Sequence, residues 1–142
     1  MIQHFNKAFL DELTSRAQTS GRKRMHYDLR DTEQDTSMRM LNAIEPESRV
    51  PIHRHTMTSE DVLVVRGECE EVMYEEDDTG HTLREIARVH IKAGSEVVMC
   101  HVPQGMYHTC ISLASGTVIY EAKNTCYDSQ TTEEVWTGDI IF

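Results

Sequence analysis

The sequence lacks long apolar stretches and is poor in basic residues. No run approaches the roughly 18 consecutive apolar residues of a membrane-spanning helix, and charged residues interrupt the first segment before a signal-peptide core could form. Lysine and arginine number 14 against 24 aspartates and glutamates, which gives a net charge of −10. Since nucleic-acid binding depends on clustered basic residues, we expect a cytoplasmic protein that binds neither membranes nor nucleic acid.

Cysteine motifs and internal repeats are also absent. The four cysteines form no CxxC pair and no compact framework, which indicates free thiols rather than disulfides. They are Cys69, Cys100, Cys110 and Cys126. At 142 residues the chain is long enough for one domain with a single core.

Short apolar or alternating stretches separated by turn residues fill most of the chain. Before them, Phe5, Phe9 and Leu13 recur at helical spacing, which predicts one amphipathic helix between Gln3 and Thr19. Many short strands spaced by turn signals are typical of an all-β sandwich or barrel. The predicted strands are Met38–Ile44, Asp61–Arg66, Cys69–Tyr74, Leu83–Ile91, Glu96–Val102, Tyr107–Leu113 and Thr117–Ala122.

An acidic run occupies one predicted hairpin. The stretches Cys69–Tyr74 and Leu83–Ile91 flank EEDDTG, whose Asp and Gly residues favour a turn. We therefore predict a long hairpin with an acidic tip in water. The acidic residues between Glu68 and Asp78 are interpreted as solvated, and a cation site is the less favoured alternative.

Two histidines and a glutamate stand at the start of an apolar strand, in PIHRHTMTSEDVLVVRG at residues 51–67. Residues i and i+2 of a strand share a face, so His53 and His55 project together. Glu60 shares its parity with Val62 and Val64, which points it inward, where an uncompensated carboxylate is costly to bury. A bound metal would remove that cost.

A third histidine follows a Pro-x-Gly turn in VPQGMYH. If a barrel brings this turn beside the first pair, the donor set becomes His53, His55, Glu60 and His108. Three imidazoles and a carboxylate suit a divalent transition metal such as Fe, Mn, Ni, Zn or Cu, and a six-coordinate ion would keep two open positions. The alternative is a hydrogen-bonded polar pocket without metal.

Three further residues are candidates for substrate binding. Arg24 and Arg39 carry guanidinium groups suited to a carboxylate or phosphate, although solvated strand positions are the commoner role. Cys110 has the parity of His108 and so could line the pocket. Its alternative role is that of a small buried hydrophobe.

The two histidine stretches resemble the two sequence motifs of cupins. HRHTMTSEDVLVVRG matches the first motif, His-x-His, four residues, Glu, six residues, Gly, and PQGMYH matches the second, Pro-x-Gly-x-x-His. The motifs follow in order, about 50 residues apart. The resemblance implies a mainly β fold, a single cupin domain (a double-stranded β-helix or jelly-roll barrel) with an N-terminal α-helix and a bound metal.

More narrowly, the order of segments resembles the small WbuC-type cupins found with bacterial surface-polysaccharide (O-antigen) gene clusters. That order is a leading helix, RKR, RMLNAIEP, PIHRH and YEAKNTCYD, followed by Trp136. We accordingly predict a helix at 1–22 packed on the barrel, a barrel at 23–124 and a C-terminal extension at 125–142. Small cupins often pair through sheet edges, so the resemblance also implies a homodimer.

Two functions are compatible with these features. The first is a metal-dependent isomerase, epimerase or dioxygenase acting on a small polar substrate, such as a sugar or nucleotide-sugar of surface-polysaccharide metabolism. The second is a non-catalytic, metal-containing module that binds a small molecule. Outside the four ligand positions the sequence offers no clear acid or base, which favours the second function, whereas open metal positions favour the first.

Overall fold

Two β-sheets make up most of the structure, a computed structural model that describes residues 2–124 and 133–141. Within these residues one helix, α1 (Lys7–Thr19), precedes eleven strands. The strands are β1 (Arg24–Asp28), β2 (Ser37–Ile44), β3 (His53–His55), β4 (Glu60–Arg66), β5 (Glu68–Glu76), β6 (Thr82–Lys92), β7 (Met99–Val102), β8 (Tyr107–Ser112), β9 (Val118–Asn124), β10 (Glu133–Val135) and β11 (Asp139–Ile141).

The two sheets enclose a shared core. The first sheet has the order β1-β2-β9-β4-β7 and the second the order β10-β3-β8-β5-β6-β11. Neighbouring strands pair antiparallel, apart from β6 and β11, which are parallel. Ile44 and Ile119 of the first sheet pack in one buried cluster with Cys69 and Ile91 of the second. The predicted mainly β fold with an N-terminal helix is therefore confirmed.

Helix α1 covers the outer face of the first sheet. The Asn6 side chain caps it by accepting a hydrogen bond from the Phe9 N–H at 2.9 Å, so the helix begins later than the predicted Gln3. Its apolar face buries Leu13 and Ala17 against residues of β2 and β9. Among the described residues, no helix is both long enough and apolar enough to cross a membrane.

The predicted strands correspond to observed ones, with two differences in the first sheet. Strand β1 was not predicted, because the charged Arg24 and Asp28 at its ends obscure the alternation of Met25 and Tyr27, which pack towards the helix. Strand β7 begins at Met99, later than predicted. The predicted hairpin of β5 and β6 is confirmed by their antiparallel pairing.

The C-terminal strands pack against the second sheet. Strand β10 pairs with β3, and the Trp136 N–H donates to the Ile52 carbonyl at 2.9 Å. Trp136 and Ile140 join an apolar cluster on the outer face of that sheet. Residues 125–132 and 142 of the predicted extension, including Cys126, lie outside the described residues. The other three cysteines are free thiols, as predicted.

Substitution of Gly67, in the turn between β4 and β5, tests the close contact of this turn with Thr117. Gly67 has φ +82°, and a Cβ there would lie 2.8 Å from the Thr117 backbone Cα. We expect Gly67→Ala to cost about 1–2 kcal/mol of unfolding free energy for the left-handed backbone and roughly 1–3 kcal/mol more for the collision. Gly94→Ala is the matched control, since φ there is +72° but nothing lies within 4 Å. Equal losses in urea unfolding would contradict the close approach.

Candidate metal centre

The four predicted ligands meet inside the barrel, between the two sheets. His53 lies directly opposite His108 in the β3–β8 pair, with ring centroids 4.4 Å apart, and His55 shares their face. Glu60 reaches them from β4 of the other sheet. One potential ligand atom from each of these side chains lies within 4.8 Å of the others. The structure thus brings together the whole set that strand parity and the two motifs predicted.

Hydrogen bonds between the two motifs fix this arrangement. The Gly105 N–H, in the turn before β8, donates to the His55 carbonyl at 2.9 Å. The neighbouring Gln104 side-chain amide donates to the Thr56 carbonyl at 2.8 Å. The turn that delivers His108 is therefore attached to the strand that carries the other two histidines.

Backbone carbonyls set the tautomers of two of the imidazoles. Nδ1 of His53 lies 2.7 Å from the Pro51 carbonyl, and Nδ1 of His108 lies 2.9 Å from the Met106 carbonyl. A carbonyl can only accept, so each Nδ1 carries the proton and each neutral ring keeps an Nε2 lone pair. Burial, together with the nearby His108, lowers the pKa of His53 to about 4, so this ring is neutral at physiological pH.

Three of the facing ligand atoms, His55 Nε2, Glu60 Oε2 and His108 Nε2, have no hydrogen-bond partner in the described part of the chain. His55, Glu60 and His108 are only 6%, 3% and 2% exposed. Glu60 Oε2 lies 2.8 Å from His55 Nε2 and 3.6 Å from His108 Nε2, yet none of these three atoms makes a bond of acceptable geometry. Burial opposes the charge of Glu60, but His108, His55 and Lys123 hold its pKa well below the usual range.

These atoms fit a transition-metal ion. Unpaired buried polar atoms are costly, and a cation among them would satisfy all of them at once. Imidazole and carboxylate are ligands for Fe, Mn, Ni, Zn and Cu. The backbone carbonyls behind His53 and His108 are the outer partners that metal-binding histidines ordinarily have.

A small cavity extends behind the ligands into the barrel. Its volume is about 40 Å³, and its polar lining includes Glu71 and Glu121 together with three of the four ligands. Glu71 is 1% exposed, so the prediction that the acidic run is solvated is wrong at this residue. It lies on β5 with Cys69 and Met73, on the face that packs in the core. The parity that Glu71 shares with Cys69 and Met73 was the signal in the sequence that Glu71 is buried, but apolar residues on both faces of β5 obscured it.

Both inner carboxyl groups hold protons more tightly than usual. Burial, and then the charges of Glu60 and Glu121, raise the pKa of Glu71 well above its ordinary value. Burial and Glu60 raise the pKa of Glu121 to about 7. These two residues are the acid and base candidates that the sequence did not reveal. Such shifts are common where side chains exchange protons with a ligand.

The three substrate-binding candidates lie in different places. Arg24 and Cys110 line the inner cavity, and Arg24 donates to the Ser48 hydroxyl at 3.3 Å. Arg39 lies in a separate open groove and pairs with Asp35 at 2.9 Å. A hydrogen bond with Cys69 and burial raise the pKa of Cys110 well above its usual value, so it is a neutral thiol rather than a thiolate.

The sequence from residue 5 to residue 87 matches the model of a family described as a domain of unknown function, DUF6016. The chain belongs to the DUF6016 family. The matched stretch includes His53, His55 and Glu60 of the candidate metal centre and ends before His108. No curated protein matches the sequence.

Solved structures similar to this DUF6016 chain are cupins. CapF from Staphylococcus aureus, a capsular polysaccharide assembling protein, has a TM-score of 0.63 and 21% identity over 82% of this chain and 32% of its own. Oxalate oxidase in complex with glycolate has a TM-score of 0.61 and 15% identity, covering 82% and 57%. KdgF from Halomonas sp. has a TM-score of 0.54 and 13% identity, covering 75% and 83%. The DUF6016 chain therefore has the cupin jelly-roll fold, and it spans about a third of CapF and just over half of oxalate oxidase.

Metal uptake tests the centre directly. We expect purified protein to bind close to one equivalent of Co²⁺. Substituting the residues that support a metal ligand costs roughly 10–100-fold in metal affinity. His55→Ala or His108→Ala removes a ligand itself and should therefore cost more. His90→Ala is the control, because His90 lies on the protein surface beside Glu68. Elemental analysis after dialysis measures the metal content, and a wild-type protein that takes up no metal would contradict the site.

Glu71 should make stability depend on pH. Its pKa in the folded chain lies above the ordinary 4.5, so the unfolded chain releases this proton first and stability falls as pH rises above that value. Metal-free Glu71→Gln should therefore gain stability relative to wild type with rising pH, by up to about 1.4 kcal/mol per pH unit until folded Glu71 ionises. Urea unfolding between pH 5 and 8 measures the difference.

The same substitution at Glu70 provides the control for this titration. Glu70 lies on the opposite face of β5 and pairs with Arg88. Parallel stability curves for wild type and Glu71→Gln would show that Glu71 keeps its ordinary pKa.

Proposed function

We propose that this chain is a metal-dependent enzyme that isomerises or epimerises a small polar substrate, with sugars or nucleotide-sugars of surface-polysaccharide metabolism as the substrate class. The observation that carries the proposal is that three of the four convergent ligands, His53, Glu60 and His108, border one cavity together with two inner carboxyl groups. A binding module needs the first feature but not the second. Dioxygenation does not need a pair of proton-exchanging carboxyl groups.

The chemistry divides between the ligands and the inner carboxyl groups. His53, His55, Glu60 and His108 would hold a divalent transition metal, which supplies a Lewis acid that polarises a substrate carbonyl or hydroxyl. An ionised carboxylate oxygen of Glu121 accepts a proton from the carbon next to a substrate carbonyl. In epimerisation, the protonated Glu71 carboxyl gives a proton to the opposite face of the same carbon, and the two carboxyl groups end with exchanged protonation states. In isomerisation, Glu121 returns its proton to the former carbonyl carbon, while the proton of the neighbouring hydroxyl moves to the former carbonyl oxygen. The proton count balances, and no oxidant is required.

Burial raises the pKa of Glu121 into a range that suits this role. A general acid or base is most effective when its pKa lies near the working pH, and the pKa of Glu121 is raised to about 7. Asn42 Nδ2 lies 3.4 Å from Glu121 Oε2 and orients the carboxyl group. Both states of Glu121 are thus populated near neutral pH in the metal-free chain.

The polysaccharide assignment rests on resemblance. CapF is described as a capsular polysaccharide assembling protein, and the order of sequence segments resembles the WbuC-type cupins of polysaccharide gene clusters. Both lines point to the same substrate class. Since one fold hosts many activities, the substrate itself has to come from experiment.

A second candidate function is a non-catalytic binding module. The cavity volume of about 40 Å³ favours it, because that space holds only two or three water-sized groups, far less than a whole sugar. In the enzyme proposal, therefore, only the reacting edge of the substrate enters the cavity.

A cytoplasmic location and a homodimer remain predictions. In a homodimer, pairing at β7 would cover the exposed Val98 and Met99.

Hydrogen exchange distinguishes the two functions even when no net product forms. The metal-loaded protein would be incubated in D₂O with aldoses, ketoses and nucleotide-sugars, and carbon-bound deuterium measured by NMR. We expect deuterium at the carbon next to the carbonyl of one substrate, with a loss of roughly 10²–10⁴-fold in rate for Glu121→Gln. Glu96→Gln, at an exposed position, is the control and should leave the rate unchanged.

The outcomes separate the candidates. Metal-loaded protein that binds a sugar but exchanges no deuterium would contradict the enzyme and favour the binding module. Exchange that persists in Glu121→Gln at the wild-type rate would exclude Glu121 as the base.

A further inference from the structure

Two acceptor atoms in the inner cavity have no hydrogen-bond partner among the residues that the structure describes. Glu71 Oε2 and Asn42 Oδ1 are buried atoms without hydrogen bonds, and both residues line the cavity behind the candidate ligands. The Glu71 side chain is 99% buried, since its relative exposure is 1%. An unpaired buried polar atom is destabilising, so these atoms are suited to a ligand that can pair with them.

The orientation of Asn42 is fixed by its other neighbour. Asn42 Nδ2 donates towards Glu121 Oε2 at 3.4 Å. While Glu121 is ionised, the reversed amide would bring two acceptor oxygens together and lose this bond. Asn42 therefore presents its oxygen, which can only accept, to the cavity.

Glu71 presents a group that can either accept or donate, depending on whether it is protonated. The thiol of Cys110 lies opposite it on β8 and hydrogen-bonds the carboxyl group, while Oε2 stays without a partner. A hydroxyl group has one donor hydrogen and two acceptor lone pairs, so it can accept from protonated Glu71 while it donates to Asn42, or donate to Glu71 when that carboxyl group is ionised. A carboxylate only accepts and cannot pair with Asn42 Oδ1.

The cavity also has the right size for such a group. About 40 Å³ accommodates a carbon and its hydroxyl but no ring. Its lining carries three carboxyl side chains, those of Glu60, Glu71 and Glu121, against the one guanidinium of Arg24. An acceptor-rich, acidic lining favours an uncharged donor over an additional anion.

We propose that Glu71 and Asn42 form a hydroxyl-binding subsite behind the metal centre, which selects substrates with a hydroxyl group next to the atom that reaches the ligands. This inference rests on the proposed function, because it names the substrate class of that same site. The class is a hydroxy-carbonyl compound or a hydroxy acid, as opposed to a compound with only carboxylates.

Glycolate and acetate form a matched pair of probes, since they differ by one hydroxyl group. Each would be titrated into Co²⁺-loaded protein, with the visible absorption of the metal and the heat of binding as readouts. The hydroxyl of glycolate also has an intrinsic preference for metal, so the informative quantity is the change in the glycolate-to-acetate affinity ratio between variants. Neither readout depends on turnover.

We expect Glu71→Met to lower this ratio about tenfold, the effect of one lost hydrogen bond of about 1.4 kcal/mol. Acetate affinity and Co²⁺ content should be unchanged. Glu70→Met is the control, since Glu70 lies beside Glu71 in sequence but pairs with Arg88 on the other face of β5. Asn42→Leu is a second variant and should lower the ratio in the same direction.

The result that overturns the proposal is a ratio that stays the same in both Glu71→Met and Asn42→Leu while Co²⁺ is bound. Protein that takes up no Co²⁺ would instead overturn the metal centre, and this subsite with it. If Glu71→Met fails to fold, an unchanged ratio in Asn42→Leu alone is sufficient to reject the subsite.

Discussion

The structure depends on the burial of a carboxylate among three imidazoles. Glu60 is carried by the first sheet and the histidines by the second, so closing the barrel brings their ligand atoms within 4.8 Å of one another. With neutral rings, the Nε2 atoms of His53 and His108 are acceptors, as is the Glu60 oxygen, so these groups need a shared cation, either a proton or a metal ion. Burial opposes a proton on His108, but Glu60 raises the pKa of this ring. A shared cation satisfies these acceptors, and the same contact then joins the two sheets. A metal ion held by these four residues would therefore also stabilise the closed barrel.

The remaining elements hold the two halves of this contact in place. Strand β3 has only three residues and shares a single register pair with β8, so its position depends on other contacts. Strand β10 pairs along all of β3, and Arg54, between the histidines, pairs with Glu134 of β10 at 2.6 Å. Arg54 also stacks 4.6 Å from the Tyr107 ring, which packs against Trp136. The C-terminal segment thus positions His53 and His55 from outside the barrel.

Strand parity predicted the ligand set because it is a local property. His53 and His55 are two residues apart, and Glu60 shares its face with Val62, so each side chain could be directed inward without knowledge of the rest of the fold. The pairing of His108 with His53 is not local, and only the two-motif resemblance supplied it. Arg39 shows the limit of residue type alone, since its parity with Leu41 directs it away from the barrel interior.

Glu71 could not be recognised from the sequence, although the same parity applies to it. An acidic residue among acidic neighbours is ordinarily solvated, and β5 carries apolar residues on both faces because the C-terminal segment covers its outer side. Only the two packed sheets show that this carboxyl group shares a cavity with the candidate ligands. Burying this carboxyl group lowers the stability of the fold. Destabilising groups of this kind are found at functional sites more often than in ordinary cores. The candidate ligands meet inside a barrel of the cupin jelly-roll fold, and two buried carboxyl groups line the cavity beside them.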